Sequence, residues 1–118
     1  MSKSFIETCI FLVKKDKTEE FENLLKEMSK FQEQSNGTIE VKYMKRTHTF
    51  KEYEEIKNGE PSKPLKRIVK GVKYIMHWEL DDEIVHGQAT KQLFEQFGKE
   101  FNRLLVVPAD KFLGERIH

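Results

Sequence analysis

Between Val72 and Leu80, apolar side chains stand at every second position: Val72, Tyr74, Met76, Trp78 and Leu80. That is the period of a strand with one buried face. Past Asp81 and Asp82 the spacing changes, and Leu93, Phe94, Phe97, Phe101 and Leu104 recur one, three and four residues apart, as on a helix. The stretch from Arg67 to Phe101 is therefore expected to run strand, acidic turn, amphipathic helix, with the helical stripe covering a sheet. The only tryptophan, Trp78, sits at the switch. Gly87 and Gly98 weaken the helical pattern, so a short first turn with a restart at Thr90 is expected.

Upstream, Phe5 to Val13 is rich in β-branched and aromatic residues and apolar on both faces toward its end, the pattern of a central strand. Asp16 or Thr18 is placed to cap a helix whose stripe is Phe21, Leu24, Leu25, Met28 and Phe31, ending near Asn36-Gly37. Ile39, Val41 and Tyr43 alternate with Glu40, Lys42 and Met44, a strand nearer an edge. Residues 49–66 read as an irregular insertion. Thr49 to Glu52 has the spacing of a capping box before a short helix (Phe50, Tyr53, Ile56), and Pro61 and Pro64 predict an exposed mobile loop. Leu104 to Val107 is expected as a short fourth strand, with residues 109–118 a C-terminal tail able to add another.

The resulting order is βαββαβ, a ferredoxin-like α+β fold: an antiparallel sheet with two helices on one face. A single domain over residues 1–118 is expected from the length. The other sheet face, with Lys73, Ile75, His77 and Glu79 on the third strand, is then open, and a half-apolar open face predicts a homodimer packed sheet to sheet. Charged residues make up 35% of the chain, above the usual share of about 25%, but the apolar positions are periodic, which excludes a disordered chain. A net charge of +1 gives no global field for nucleic acid or an anionic membrane. Cys9 is the only cysteine, which excludes an internal disulfide and fits a reducing, cytoplasmic location. No stretch approaches the roughly 20 apolar residues of a membrane span, and no signal peptide is expected.

The run Tyr74-Ile-Met-His-Trp-Glu-Leu-Asp-Asp-Glu-Ile-Val-His86 resembles the dimeric α+β barrel proteins, in particular the antibiotic-biosynthesis monooxygenase-like group. Trp78 at a strand end, the acidic turn Asp81-Asp82 and His86 opening the second helix stand in comparable places, and Leu93, Phe94 and Phe97 continue the likeness. The resemblance implies a pocket between sheet and helices for a hydrophobic or aromatic small molecule, and oxygenation with no cofactor. His86 is then the candidate acid or base, and Trp78, Tyr74 and Tyr43 the candidate lining. Haem degradation is not implied, because Glu7 and Thr8 stand in the first strand where the haem-degrading subgroup has asparagine.

Each of these residues has a plainer reading. Trp78 and the two tyrosines fill space in many sheets, and Asp82, four residues before His86, makes a surface pair on one helical turn. His77 alternates to the face opposite Trp78, and Cys9 reads as a small buried hydrophobe. No histidine spacing suggests a metal site. Two other functions share the element order. One is a non-catalytic dimeric sensor or interaction protein. The other is an RNA-recognition-motif-like module: Lys70-Gly-Val-Lys-Tyr-Ile-Met-His77 matches its strand motif at Lys70, Gly71, Tyr74 and Ile75. It lacks the aromatics needed at Val72 and His77, so nucleic acid is not expected as a partner. The basic run Lys63, Lys66, Arg67, Lys70 and Lys73 suits phosphates or a solvated loop.

Overall fold

A computed structural model of the chain describes residues 3–67 and 70–118. Ile68 and Val69, within the stretch expected to lead into the third strand, lie outside the described residues. Four strands form one antiparallel sheet: β1 (Phe5–Val13), β2 (Thr38–Lys45), β5 (Val72–Leu80) and β6 (Asp110–Glu115), in the spatial order β2-β5-β1-β6. Two long helices, α1 (Thr18–Gln34) and α3 (Glu83–Arg103), cover one face. The α+β, ferredoxin-like arrangement expected from the order of elements is therefore the observed one.

The period-2 pattern explains which face is covered. Cys9, Phe11 and Val13 of β1 stand opposite Met76, Tyr74 and Val72 of β5, and all six are buried. From α1, Phe21, Leu25 and Met28 pack on this face, and from α3 come Ala89, Leu93 and Phe101. An aromatic cluster joins the layers: Phe21 lies 4.8 Å from Tyr74 and Phe11 meets Phe101 edge-on at 4.9 Å, between ring centroids. At the end of α1, Gly37 takes φ +86°, and a Cβ there would stand 2.6 Å from Val85 Cγ2, so only glycine lets the β2 entry approach α3. Its carbonyl also accepts from the Asp81 amide at 2.8 Å.

Several local expectations are corrected. Neither Asp16 nor Thr18 caps α1, whose N-cap is Lys17 with no side-chain bond. The capping box at Thr49–Glu52 does not form: Thr49 Oγ1 accepts from the Lys51 amide, and the short helix α2 (Tyr53–Lys57) opens from Glu52 in a left-handed conformation. The two prolines do not exclude pairing, because β4 (Lys63–Pro64) forms a two-residue ladder with β3 (His48–Thr49). A two-residue edge leaves the proline nitrogen facing away from the ladder. Helix α3 is unbroken across Gly87 and Thr90, held from its start by the Asp82 carboxylate, which accepts from the Ile84 and Val85 amides.

The fourth strand is also relocated. Leu104 to Val107 contributes only an isolated bridge from Leu105 to Val13, and the pairing strand is β6 in the tail, which runs along Phe5 to Ile10. Leu104 and Leu105 instead plug the end of the core. Pro108, which has no amide to donate, separates this plug from the strand.

Candidate functional site

Strand alternation carries Glu7 to the helix-covered face two residues from Cys9, and the second turn of α3 carries His86 to meet it. Glu7 Oε1 lies 2.5 Å from His86 Nε2, and both side chains are almost fully buried. Glu7 Oε2 accepts from the Cys9 thiol at 2.7 Å. The His86 ring packs 5.6 Å from Trp78 and 5.0 Å from Phe5. Thr90 Oγ1 donates back to the His86 carbonyl at 2.6 Å, anchoring this turn of the helix.

Burial pushes the Glu7 carboxyl up, but the hydrogen bonds from His86 and Cys9 and the charges of His86 and Lys111 outweigh it, leaving Glu7 below the ordinary carboxylate value. It is ionised at neutral pH, so His86 donates from Nε2. The Cys9 thiol is pushed well up by burial and by the adjacent carboxylate, so it stays protonated and serves as a donor rather than a nucleophile.

Glu7 and Cys9 form one end of a cavity of about 30 Å³ between the sheet and α3, walled chiefly by Met76, Trp78, Leu93, Phe94, Phe97 and Phe101. That volume suits little more than one water, so any larger ligand requires side chains to move. Two of the lining residues stand toward solvent: Phe94 is 41% exposed, and Lys111 of β6 reaches over it, its Nζ 5.5 Å from the ring centroid. The result is an apolar chamber with one carboxylate at its inner end and one ammonium at its rim. Such a chamber offers an apolar surface with a buried hydrogen-bond acceptor at one end and a cation at the other.

The residues singled out from the sequence are only partly gathered here. Trp78 lines the cavity and His86 stands behind Glu7, not in the wall. His86 is not paired on the surface with Asp82, whose carboxylate caps α3. Tyr74 lies elsewhere, its hydroxyl donating to Glu22 at 2.5 Å, and Tyr43 donates to the fully buried Gln32, also at 2.5 Å. Both tyrosines face a separate hollow between α1 and β2. On the open sheet face His77 comes within reach of Glu40 and Glu79. Those carboxylates are already engaged: Arg116 pairs with Glu79, which also accepts from the Ser4 hydroxyl, and Lys42 pairs with Glu40. No residue of the 49–66 insertion lines the cavity.

No protein-family model matches the chain, and no curated protein does either. Solved structures do match. A Nitrosomonas europaea protein provisionally named an antibiotic biosynthesis monooxygenase superposes over 100% of this chain and 94% of its own, with a TM-score of 0.73 at 8% identity. A conserved protein from Methanosarcina mazei Go1 covers 97% and 93%, with a TM-score of 0.73 at 16% identity. SnoaB, a cofactor-independent oxygenase from Streptomyces nogalater, covers 99% and 96%, with a TM-score of 0.67 at 13% identity. The fold is that of the antibiotic-biosynthesis monooxygenase-like proteins.

At such identities the likeness is one of fold, so the site of this chain rests on its own residues. From the sequence Glu7 stands only in the place of the haem-degrading subgroup's asparagine and Thr90 only as a helix restart, and Lys111 is no more than a residue of the tail. A signal for Glu7 was present: it occupies an inward position of a strand whose other inward positions are Phe5, Cys9, Phe11 and Val13. A carboxylate at such a position needs a buried partner.

Proposed function

We propose that the protein binds a hydrophobic or aromatic small molecule between sheet and α3 and oxygenates it with dioxygen, without a bound cofactor. The observation that carries this reading is the buried Glu7–His86 pair at the inner end of an otherwise apolar cavity. In the proposed reaction an activated ring CH2 gives a proton to the Glu7–His86 pair, with Lys111 facing the substrate anion. For a CH2 group the anion passes electrons to dioxygen. One oxygen atom stays as the new carbonyl, the other leaves as water, and both carbon-bound hydrogens end in that water. Trp78 and Phe97 supply the faces against which a planar substrate stacks. The protein acts as a homodimer in the reducing cytoplasm, joined through the open sheet face where Ile6, Ile10, Ile75 and Phe112 lie.

The test is oxygen uptake with a panel of oxidisable polycyclic phenols and ketones, paired with ligand binding by tryptophan fluorescence. The expected result is uptake by the wild type, lost by ~100-fold or more in Glu7→Gln, whose neutral amide cannot take the proton. Binding without uptake would replace the enzyme with a ligand sensor of the same fold. The absence of both binding and uptake would overturn the reading.

A further inference from the structure

At the end of the sheet away from Glu7, two hollows of about 350 and 510 Å³ adjoin one another, sharing Arg46, Leu65 and Arg67 in their walls. The first adds Lys70 and Lys73 over an apolar floor of Leu12 and Val72. The second adds Lys51, Lys63 and Lys66. Together their walls hold seven cations, drawn from the residue after β2, the 49–66 insertion, the segment that follows it and the start of β5, against the single lining carboxylate of Glu52. With Glu55 also 3.4 Å from Lys63, that is an excess of five positive charges in one place, on a chain whose net charge is +1.

Such a concentration repels itself unless something offsets it. Among the described residues only Lys63 of the seven has a carboxylate at ion-pair distance, bonded to Glu52 and 3.4 Å from Glu55. The frame is built by backbone bonds: the Arg46 amide donates to the Lys73 carbonyl and the Leu65 amide to the Thr47 carbonyl, both at 2.9 Å. These tie the insertion to the sheet and set Arg46 and Arg67 between the hollows. Arginine forks match phosphoryl oxygens in pairs. Among the described residues no aromatic side chain lines either hollow, so bases would find nothing to stack on, which disfavours a nucleic-acid strand.

We propose that these joined hollows bind a small anion carrying two or more phosphoryl groups, gripped by Arg46 and Arg67 with Lys70, Lys73 and Lys66 around it. The site is separate from the cavity at Glu7 and does not depend on the oxygenase reading.

Calorimetric titration with tripolyphosphate at ~150 mM salt, where only close charges are felt, tests it directly. Saturable binding is expected, weakened about tenfold or more in Arg46→Ala and in Arg67→Ala, and unchanged in Lys91→Ala on the exposed side of α3. Should an alanine variant fail to fold, Arg46→Lys keeps the charge without the fork and is expected to weaken binding by a smaller factor. Absence of saturable binding overturns the proposal. So does wild-type affinity in either arginine variant, or an equal loss in Lys91→Ala. Tighter binding of an oligouridylate than of tripolyphosphate would likewise overturn it and make the surface one for RNA.

Discussion

His86 Nε2 and Glu7 Oε1 lie 2.5 Å apart although 79 positions separate them in the chain, and each is the other's answer to burial. Removing one partner leaves the other charged or polar group without compensation, which in buried pairs costs about 3–5 kcal/mol. His86→Ala is therefore expected to lower unfolding stability by about 3 kcal/mol at pH 7, measured by urea denaturation. An unchanged midpoint would show the pair to be dispensable for folding.

The same pair sets an acid limit. Because the folded state holds Glu7 below its ordinary value of 4.5, its contribution is fully present above that pH and is lost as pH falls through the lower folded value. Thermal melts of wild type and Glu7→Gln should thus differ most at neutral pH and converge in acid below pH 4.5. A difference that persisted undiminished there would point away from Glu7 ionisation.

Tyr43 and Tyr74 are expected to separate. Tyr43→Phe deprives the buried Gln32 oxygen of its donor and should cost about 1–3 kcal/mol. Tyr74→Phe removes a bond to Glu22, which Lys45 also holds at 3.1 Å near solvent, and should cost under about 1 kcal/mol. Paired denaturation curves decide this, and equal losses would contradict the burial argument.

Gly37→Ala combines a left-handed backbone with a contact against Val85, and a loss of about 1–3 kcal/mol is expected. Gly59→Ala, at φ +97° but with open space around it, isolates the backbone contribution and should lose less. Chemical denaturation of the two variants side by side measures the difference.

Light scattering checks the proposed dimer. Ile75 lies on the open face opposite Ile10, so Ile75→Glu should convert a dimeric solution mass to a monomeric one while leaving the circular dichroism spectrum intact. A monomer in both proteins would remove the sheet-packed assembly.

The order and type of the main elements were legible in the sequence because each rests on a local signal: β-branched and aromatic density for Phe5 to Val13, a period of two for Val72 to Leu80, a helical period for the Phe21 and Leu93 stripes. The fourth strand was not. Residues of β6 are exposed throughout, so Asp110 to Glu115 carries no alternation between wet and dry faces, while the apolar Leu104-Leu105 imitates a strand and is in fact a plug. Trp78 and His86 were visible as candidates. Their partner Glu7 was hidden, since a carboxylate in an apolar run looks like an interruption until the residue that neutralises it is known.

What the sequence by itself determined is a set of features that neighbouring residues decide among themselves: the periods of strand and helix, the acidic turn at Asp81-Asp82, the glycine turn at Gly37. What only the tertiary structure decided is which distant groups meet. Glu7 with His86, Lys111 over Phe94, and Arg46 with Arg67 all join residues from different elements, brought together by sheet register and helix docking. Burial makes a charge depend on its partner, and the chain's closure in three dimensions alone selects that partner.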